Sequence, residues 1–282
     1  MGFNAATFSA IAGLTLAGSI AAASEAVSND AIAGQRAALA TATQGAGFGP
    51  QSPRDIDDPA GTNSRIFGTA PHYSLMNLCN IHFHESAEHK GGEFTIYAGN
   101  GDGEGYGSGY MYSGSLSNAE MAPIDMKVGA TEHGDLVPGD TIEIHFVHSS
   151  AQVEPGPTLG ACVTDDIGNP ALRVETVVGV LVSEGGEDFI KMSALNVVNG
   201  YHQAVGLPNN LGDPVQYAGS TTGPGYNEKG SPYHVTWNVR PNVVKIDIAS
   251  VGAWLRDNRF NEDHAHGVRN LVINSDLLSA IK

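Results

Sequence analysis

Residues 79–97 read CNIHFHESAEHKGGEFTIY, and the spacing of the histidines in this stretch decides the fold. A strand sends successive side chains to opposite faces, so His82 and His84 share one face and Phe83 takes the other. Two imidazoles held side by side are a seat for a borderline metal such as zinc, which favours nitrogen ligands and needs three or four donors. The third donor has to come from elsewhere. Residues 141–150, TIEIHFVHSS, repeat the pattern, with Glu143 and His145 alternating with apolar residues on one face of a second strand. Three histidines with no fourth protein ligand leave the metal an open position for water.

Composition agrees with a sheet. The chain has 282 residues, is 41% hydrophobic and contains 36 glycines, enough for one large domain with a full core and richer in turn formers than a helix bundle. Its formal net charge of -16 argues against nucleic acid or an anionic membrane surface as partner, because both would be repelled. The two cysteines, Cys79 and Cys162, suffice for one bridge in an oxidising compartment, and the sequence does not decide whether they pair. Cys79, three residues before His82, points to the opposite face of an uninterrupted strand, which favours a bridge or a buried thiol over metal ligation.

Outward from the centre, residues 9–24, SAIAGLTLAGSIAAAS, form a short apolar run ending in small residues, read as the core of a signal peptide spanning 1–24. The mature protein is therefore expected to be exported, periplasmic or secreted, with no membrane insertion of the domain. Residues 25–46 are alanine-rich and polar and read as a linker or frayed helix, leaving 47–282 as the domain. Within it, residues 99–109, GNGDGEGYGSG, are a loop in which Asp102 and Glu104 could bind calcium, though a solvated glycine turn is the favoured reading. LRVETVVGVLVS at 172–183 reads as a buried central strand, with a helix expected from Asp188 to about Val198. VQYAGSTTGP and YHVTWNV read as strand, tight turn and strand, and VVKIDIASVGAWLRDNRF as strand then short helix.

At these residues the chain resembles the carbonic anhydrases, specifically the delta class, with visible likeness to the alpha class. QSPRDI at 51–56 is similar to the alpha-class QSPVDI, NIHFH to QFHFH, AEH at 87–89 to SEH, and EIHFVH at 143–148 to ELHLVH. VVGVLV at 177–182 resembles VLGIFL, YAGSTTGP at 217–224 resembles YPGSLTTPP, and HVTWNV at 234–239 resembles CVTWIV, all in chain order. The short spacing from HFH to AEH, HSSA at 148–151 and LRVE at 172–175 point to the delta class. The resemblance implies a mainly β fold with few short helices (α+β), one domain around a large twisted, mostly antiparallel central sheet like that of the alpha carbonic anhydrases.

The function so implied is zinc-dependent, reversible hydration of carbon dioxide to bicarbonate and a proton by a zinc-bound hydroxide. His82, His84 and His145 would be the zinc ligands, with cobalt or cadmium as possible substitutes. Glu88 would accept a hydrogen bond from a gatekeeper threonine, Thr222, with Thr221 as competitor because the turn is one residue shorter than the alpha pattern. Glu143 would hold the free ring N–H of His145, and Asn80 that of His82. Val147, Val177 and Trp237 would form the apolar wall for carbon dioxide. No counterpart of the alpha-class shuttle histidine is visible, and His72 is the nearest candidate by chain position. His89 and His148 fall inside matched motifs and read as structural. Two alternatives stand: a cupin-type metalloenzyme, because HFHESAE gives HxHxxxE, and an exported carbonic-anhydrase-like binding protein without activity. The first departs from the cupin pattern at Met76 and in the spacing of Pro138-Gly139 from His145. Oligomeric state is left open.

Overall fold

A computed structural model describes residues 26–45, 50–220, 231 and 233–282. The expected signal peptide and the threonines 221 and 222 lie outside these residues. The first element among the described residues is helix α1 (Asn29–Thr43), followed by strand β1 (Asn77–Glu85) and a hairpin of β2 (Ile96–Asn100) and β3 (Ser108–Met111). The long strands β4 (Thr141–Ser149) and β5 (Leu172–Val182) come next, then the single-turn α2 (Phe189–Met192) and a hairpin of β6 (Leu195–Val198) and β7 (Tyr201–Ala204). Strands β8 (Val215–Ser220), β9 (His234–Val239) and β10 (Val244–Asp247) lead into helix α3 (Ile248–Arg256).

The central sheet runs β1-β4-β5-β9-β8, with β10 also pairing β5. β5 carries two neighbours on one side, β9 along residues 172–176 and β10 along 179–182, both parallel. The remaining pairings, β1 with β4, β4 with β5 and β8 with β9, are antiparallel. The sheet is thus mixed, within the mostly β, single-domain fold with three short helices that the sequence implied. Every residue of β4 and β5 is buried, so both faces are covered. One face stacks Phe83, Ile144 and Val177 on Phe189 and Trp254, the latter from α3, which Asp247 caps by accepting from the Ala249 N–H at 2.9 Å. The other face carries Val147, Val174, Tyr217 and Trp237, together with the three histidines.

Three local expectations are corrected. For 25–46, read as a linker or frayed helix, the described residues form a capped and docked helix: Ser28 caps α1, and Leu39 buries against Val272, Leu277 and Leu278. Alanine-rich sequence has high helix propensity, and Ile32 and Leu39, seven apart, share the buried stripe. The helix expected from Asp188 stops at Met192, because Asn199 (φ 52°) and Gly200 (φ 85°) form the turn of the β6–β7 hairpin. Strand β1 is interrupted, too. A bulge between Leu78 and Asn80 shifts the register, and Cys79 joins the cluster of Val147 and Trp237 on the histidine side. There it forms a disulfide with Cys162, with Cα atoms 5.1 Å apart.

The bridge closes a loop of sequence separation 83, so replacing both cysteines by serine is expected to cost about 2–5 kcal/mol in denaturant unfolding, with a lower midpoint. His148 sets a pH dependence. Burial lowers its pKa to about 3, against the weaker pull of the hydrogen bond its Nδ1–H donates to the Phe146 carbonyl. Between roughly pH 6.5 and 3 the unfolded chain therefore takes up a proton that the folded chain refuses, and this contribution to stability, whole above that window, is lost as pH falls through it. His148→Asn is expected to make the melting temperature fall less steeply between about pH 7 and about pH 4.5; an unchanged slope would contradict this.

Candidate metal centre

The hydrogen bonds around the three histidines fix where every lone pair points. Tyr217 is fully buried against the sheet, and burial raises its pKa well above 10, so its hydroxyl keeps its proton. It donates to His89 Nε2 at 2.6 Å, which obliges His89 Nδ1–H to donate to Glu143 Oε1 at 2.8 Å. The His89 backbone N–H donates to Glu143 Oε2 at 2.9 Å, and His145 Nε2–H donates to Oε1 at 2.7 Å. Burial works to raise the Glu143 pKa, but His89 and His145 outweigh it and hold the carboxyl well below its ordinary range. His145 Nδ1 is left as a lone pair, 3.3 Å from His82 Nε2.

The other two rings are fixed the same way. Asn80 donates its amide N–H to the Gly156 carbonyl at 3.1 Å, which turns Oδ1 toward His82 to accept from Nδ1–H at 2.6 Å. His84 Nδ1–H donates to the Gly267 carbonyl at 3.0 Å. Nε2 of each ring is thereby an unprotonated acceptor. Burial first, and then the neighbouring rings, hold the His82 pKa well below 6.5, and burial lowers that of His84 despite Glu88. His82 Nε2, His84 Nε2 and His145 Nδ1 belong to three residues whose ligand atoms all lie within 4.8 Å of one another. Three neutral imidazoles with converging lone pairs fit a tetrahedral divalent metal that keeps one position open.

A family model described as delta carbonic anhydrase matches residues 73–250, which contain all three histidines. The chain belongs to the delta carbonic anhydrases. It is therefore a metalloenzyme of carbon dioxide and bicarbonate. An alpha-carbonic anhydrase from Photobacterium profundum is 15% identical, with 87% of this chain and 95% of that one covered and a TM-score of 0.28. A complex of alpha-carbonic anhydrase from Thermovibrio ammonificans with the inhibitor sulfanilamide is 18% identical, covering 79% and 82%, with a TM-score of 0.25. At these scores neither likeness adds to the assignment. No curated protein sequence matches the chain.

In this carbonic anhydrase the histidines open into a cavity of about 630 Å³. Val147 and Trp237 line it as expected, and the Trp237 ring meets His145 edge-on at 5.2 Å. Val177 does not. It pairs with Ile144 and sits in the core on the far face, while Val174, the partner of Val147, faces the cavity. From Val177 to Val182 β5 is apolar on both faces, so hydrophobicity there gives no sign of which residues look toward the cavity. Helix α1 closes the cavity opposite the histidines with Ile32, Gln35, Arg36 and Leu39. It is tied down by Gln35, which donates to the Gly103 carbonyl at 3.1 Å and accepts from the Asn270 amide at 2.5 Å.

Glu88 stands beside two of the three histidines. Its Oε1 accepts from the Arg269 backbone N–H at 3.3 Å, and its Oε2 stands 3.9 Å from His84 Nε2 and 3.8 Å from His145 Nε2. The expected threonine donors are outside the described residues. His72 is exposed and caps a 3-10 turn through Ser74, away from the cavity, so it is not placed to carry protons from the site. His266 is. Absent from the motifs, it sits on irregular backbone bridged to His84, its ring centroid 5.7 Å from that of His82, and lines the cavity with its side chain 42% exposed. The hydrogen bond from its Nε2 to Glu262 at 2.6 Å raises its pKa. Only the HAHG alternation at 264–267 could have signalled it.

Two other groups could in principle hold a cation. His89, Glu143 and His145 are close together, but their facing atoms are occupied by the hydrogen bonds above. Asp102, Glu104 and His133 meet at the glycine loop, where Asp102 Oδ1 accepts from the backbone N–H groups of Glu104, Gly105 and Tyr106. That is the solvated turn the sequence favoured. Glu143→Gln is expected to weaken metal binding about 10- to 100-fold in competition with a chelator, because an amide cannot accept from both histidines in the same way. Unchanged affinity would mean that the Tyr217-His89-Glu143 chain does not orient His145.

Proposed function

We propose that the chain hydrates carbon dioxide reversibly with zinc held by His82 Nε2, His84 Nε2 and His145 Nδ1. The observation that carries this reading is the convergence of three lone pairs whose tautomers are fixed from behind, inside an apolar-walled cavity of a delta carbonic anhydrase. Zinc with one open position supplies a water acidified to a pKa of roughly 7, and so a nucleophile at neutral pH.

The protein does the rest. Val147, Val174, Leu172, Val235 and Trp237 line the cavity beside the histidines. Carbon dioxide, which has no charge, is held by such a wall rather than by a clamp, and alignment beside the nucleophile supplies much of the rate. Glu88, as a carboxylate, can only accept. With Oε1 taken by the Arg269 N–H, Oε2 is the oxygen left to accept from a hydroxyl, and Thr222 or Thr221, which lie outside the described residues, would be the donor that the resemblance implies. The proton then leaves through the mouth of the cavity, where His266 stands in the role first expected of His72.

The Cys79–Cys162 disulfide supports export of the chain by the apolar run at its start, since such bridges persist in oxidising compartments. Among the described residues no helix is long and apolar enough to cross a membrane.

A stopped-flow hydration assay on the zinc-loaded full chain tests the reading. His145→Ala is expected to lose both zinc and turnover. Glu88→Gln is expected to keep zinc and lose about 10- to 100-fold in kcat/KM, as removal of a positioning partner does. Loss of zinc from Glu88→Gln would instead make Glu88 a direct ligand, as in the cupin arrangement.

A further inference from the structure

The cavity is lined by two arginines with buried guanidinium nitrogens that have no hydrogen-bond partner among the described residues. Arg269 lines it from the C-terminal segment, and its Nε, Nη1 and Nη2 are all buried without a hydrogen-bond partner. Arg36 lines it from α1, and its buried Nε also has none. The arginines buried elsewhere, Arg54 and Arg173, each make several hydrogen bonds, and of their guanidinium nitrogens Arg54 Nε alone has no partner among the described residues. Arg54 donates to the carbonyls of Ser279, Asp58 and Ala60, and Arg173 to Glu175, Gln216 and the Pro71 carbonyl.

The nearby carboxylates do not supply the missing acceptors. Glu262 is taken by His266 at 2.6 Å, Glu88 accepts the backbone rather than the side chain of Arg269, and Glu104 is exposed at the rim. Neither arginine forms an ion pair among the described residues. A buried, unpaired guanidinium is costly, and buried polar groups without a partner in a native fold ordinarily meet water or an ion.

The placement is also against the overall charge. The chain carries 30 acidic residues against 14 basic ones, so its field repels anions from solution. On the wall of this one cavity Arg36 and Arg269, neither in an ion pair among the described residues, stand against three lining carboxylates, Glu88, Glu104 and Glu262, and offset them in part. A guanidinium presents a planar fork that matches a planar oxyanion.

We propose that Arg36 and Arg269 form a subsite for a small planar oxyanion on the wall of the metal cavity, and that in turnover the anion is bicarbonate. The subsite itself is independent of the hydratase reading, and only the identity of the anion rests on it. It would receive bicarbonate as it leaves the metal and concentrate it there for the reverse reaction.

Nitrate, planar and inert to hydration chemistry, is the probe. The melting temperature of the full chain is followed as sodium nitrate replaces sodium fluoride at constant ionic strength. Nitrate is expected to raise it in the wild type and equally in His84→Ala, where the metal site is broken. In Arg36→Gln the nitrate needed for half the rise is expected to increase about ten-fold, the value of one lost charged hydrogen bond. Arg269→Lys, which keeps the charge and loses the fork, is expected to weaken nitrate by a comparable factor. Full nitrate affinity in both arginine variants, or no rise in the wild type, overturns the subsite. A rise that vanishes in His84→Ala places the anion on the metal and overturns it as well. Because no turnover is needed, these outcomes are read apart from whether the protein hydrates carbon dioxide. In the dehydration direction, KM for bicarbonate is expected to rise in Arg36→Gln, and an unchanged KM beside weakened nitrate binding overturns bicarbonate as the ligand.

Discussion

A carboxylate with no exposed surface has to be met by donors, and Glu143 is met by three: two imidazole N–H groups and one backbone N–H. That one constraint organises the site. Because Glu143 can only accept, both facing rings must present N–H to it. The Tyr217 hydroxyl then fixes the far nitrogen of His89, and the far nitrogen of His145 is left bare toward His82. Glu143, two residues before His145 on β4, is also what makes the strand's alternation functional. The same face delivers ligand and support together, and a slip of one residue would turn both into the opposite core.

The parts of the site that lie on regular strands were legible in the sequence for this reason. His82 and His84 on β1 and Glu143, His145 and Val147 on β4 alternate with Ile81, Phe83, Ile144 and Phe146, and the register that pairs His82 with His145 puts both sets on one face. Asn80 follows by the same step of two. The mixed sheet was legible only in outline, since nothing in the runs at 172–182 and 234–239 says that β9 lies parallel to β5 while β8 returns antiparallel.

What the sequence hid, it hid where periodicity stops carrying information. Val177 starts the stretch of β5 that is apolar on both faces, residues 177–182, where a wall residue and a core residue look alike. Cys79 was assigned the wrong face because a bulge is a backbone event that leaves no mark on the pattern of side-chain types. Helix α1 has only Ile32, Leu39 and Thr43 buried, too thin a stripe to separate a docked helix from a linker. The β6–β7 hairpin is a different kind of miss. Asn199-Gly200 between VV and YH is a strong hairpin signal, and the apolar run before it was read as helix instead. His266 lies on irregular backbone, where no spacing rule relates it to β1, although its N–H donates to the Phe83 carbonyl at 2.9 Å.

The cavity divides along the same line. The three histidines, the hydrogen-bond supports Asn80 and Glu143, and the apolar residues Val147, Leu172, Val174, Val235 and Trp237 of the cavity lie within residues 73–250, the span matched by the family model. Its roof and mouth do not. Ile32, Gln35, Arg36 and Leu39 come from before that span, and Glu262, His266, Gly267 and Arg269 from after it. The two flanks are joined to each other by the Gln35–Asn270 hydrogen bond and meet over the glycine loop. Gly105 of that loop adopts φ +117°, and a Cβ there would come within 2.4 Å of the Val268 carbonyl. Closing the cavity therefore depends on a backbone approach that other residues could not make. The candidate metal centre and the access to it thus draw largely on different stretches of chain, the exceptions being the Gly267 carbonyl that accepts from His84 and the Arg269 N–H that donates to Glu88. A change in α1 or in the 262–270 segment can alter what enters, what leaves and with what charge, while the Tyr217-His89-Glu143-His145 chain that aims the lone pairs stays untouched.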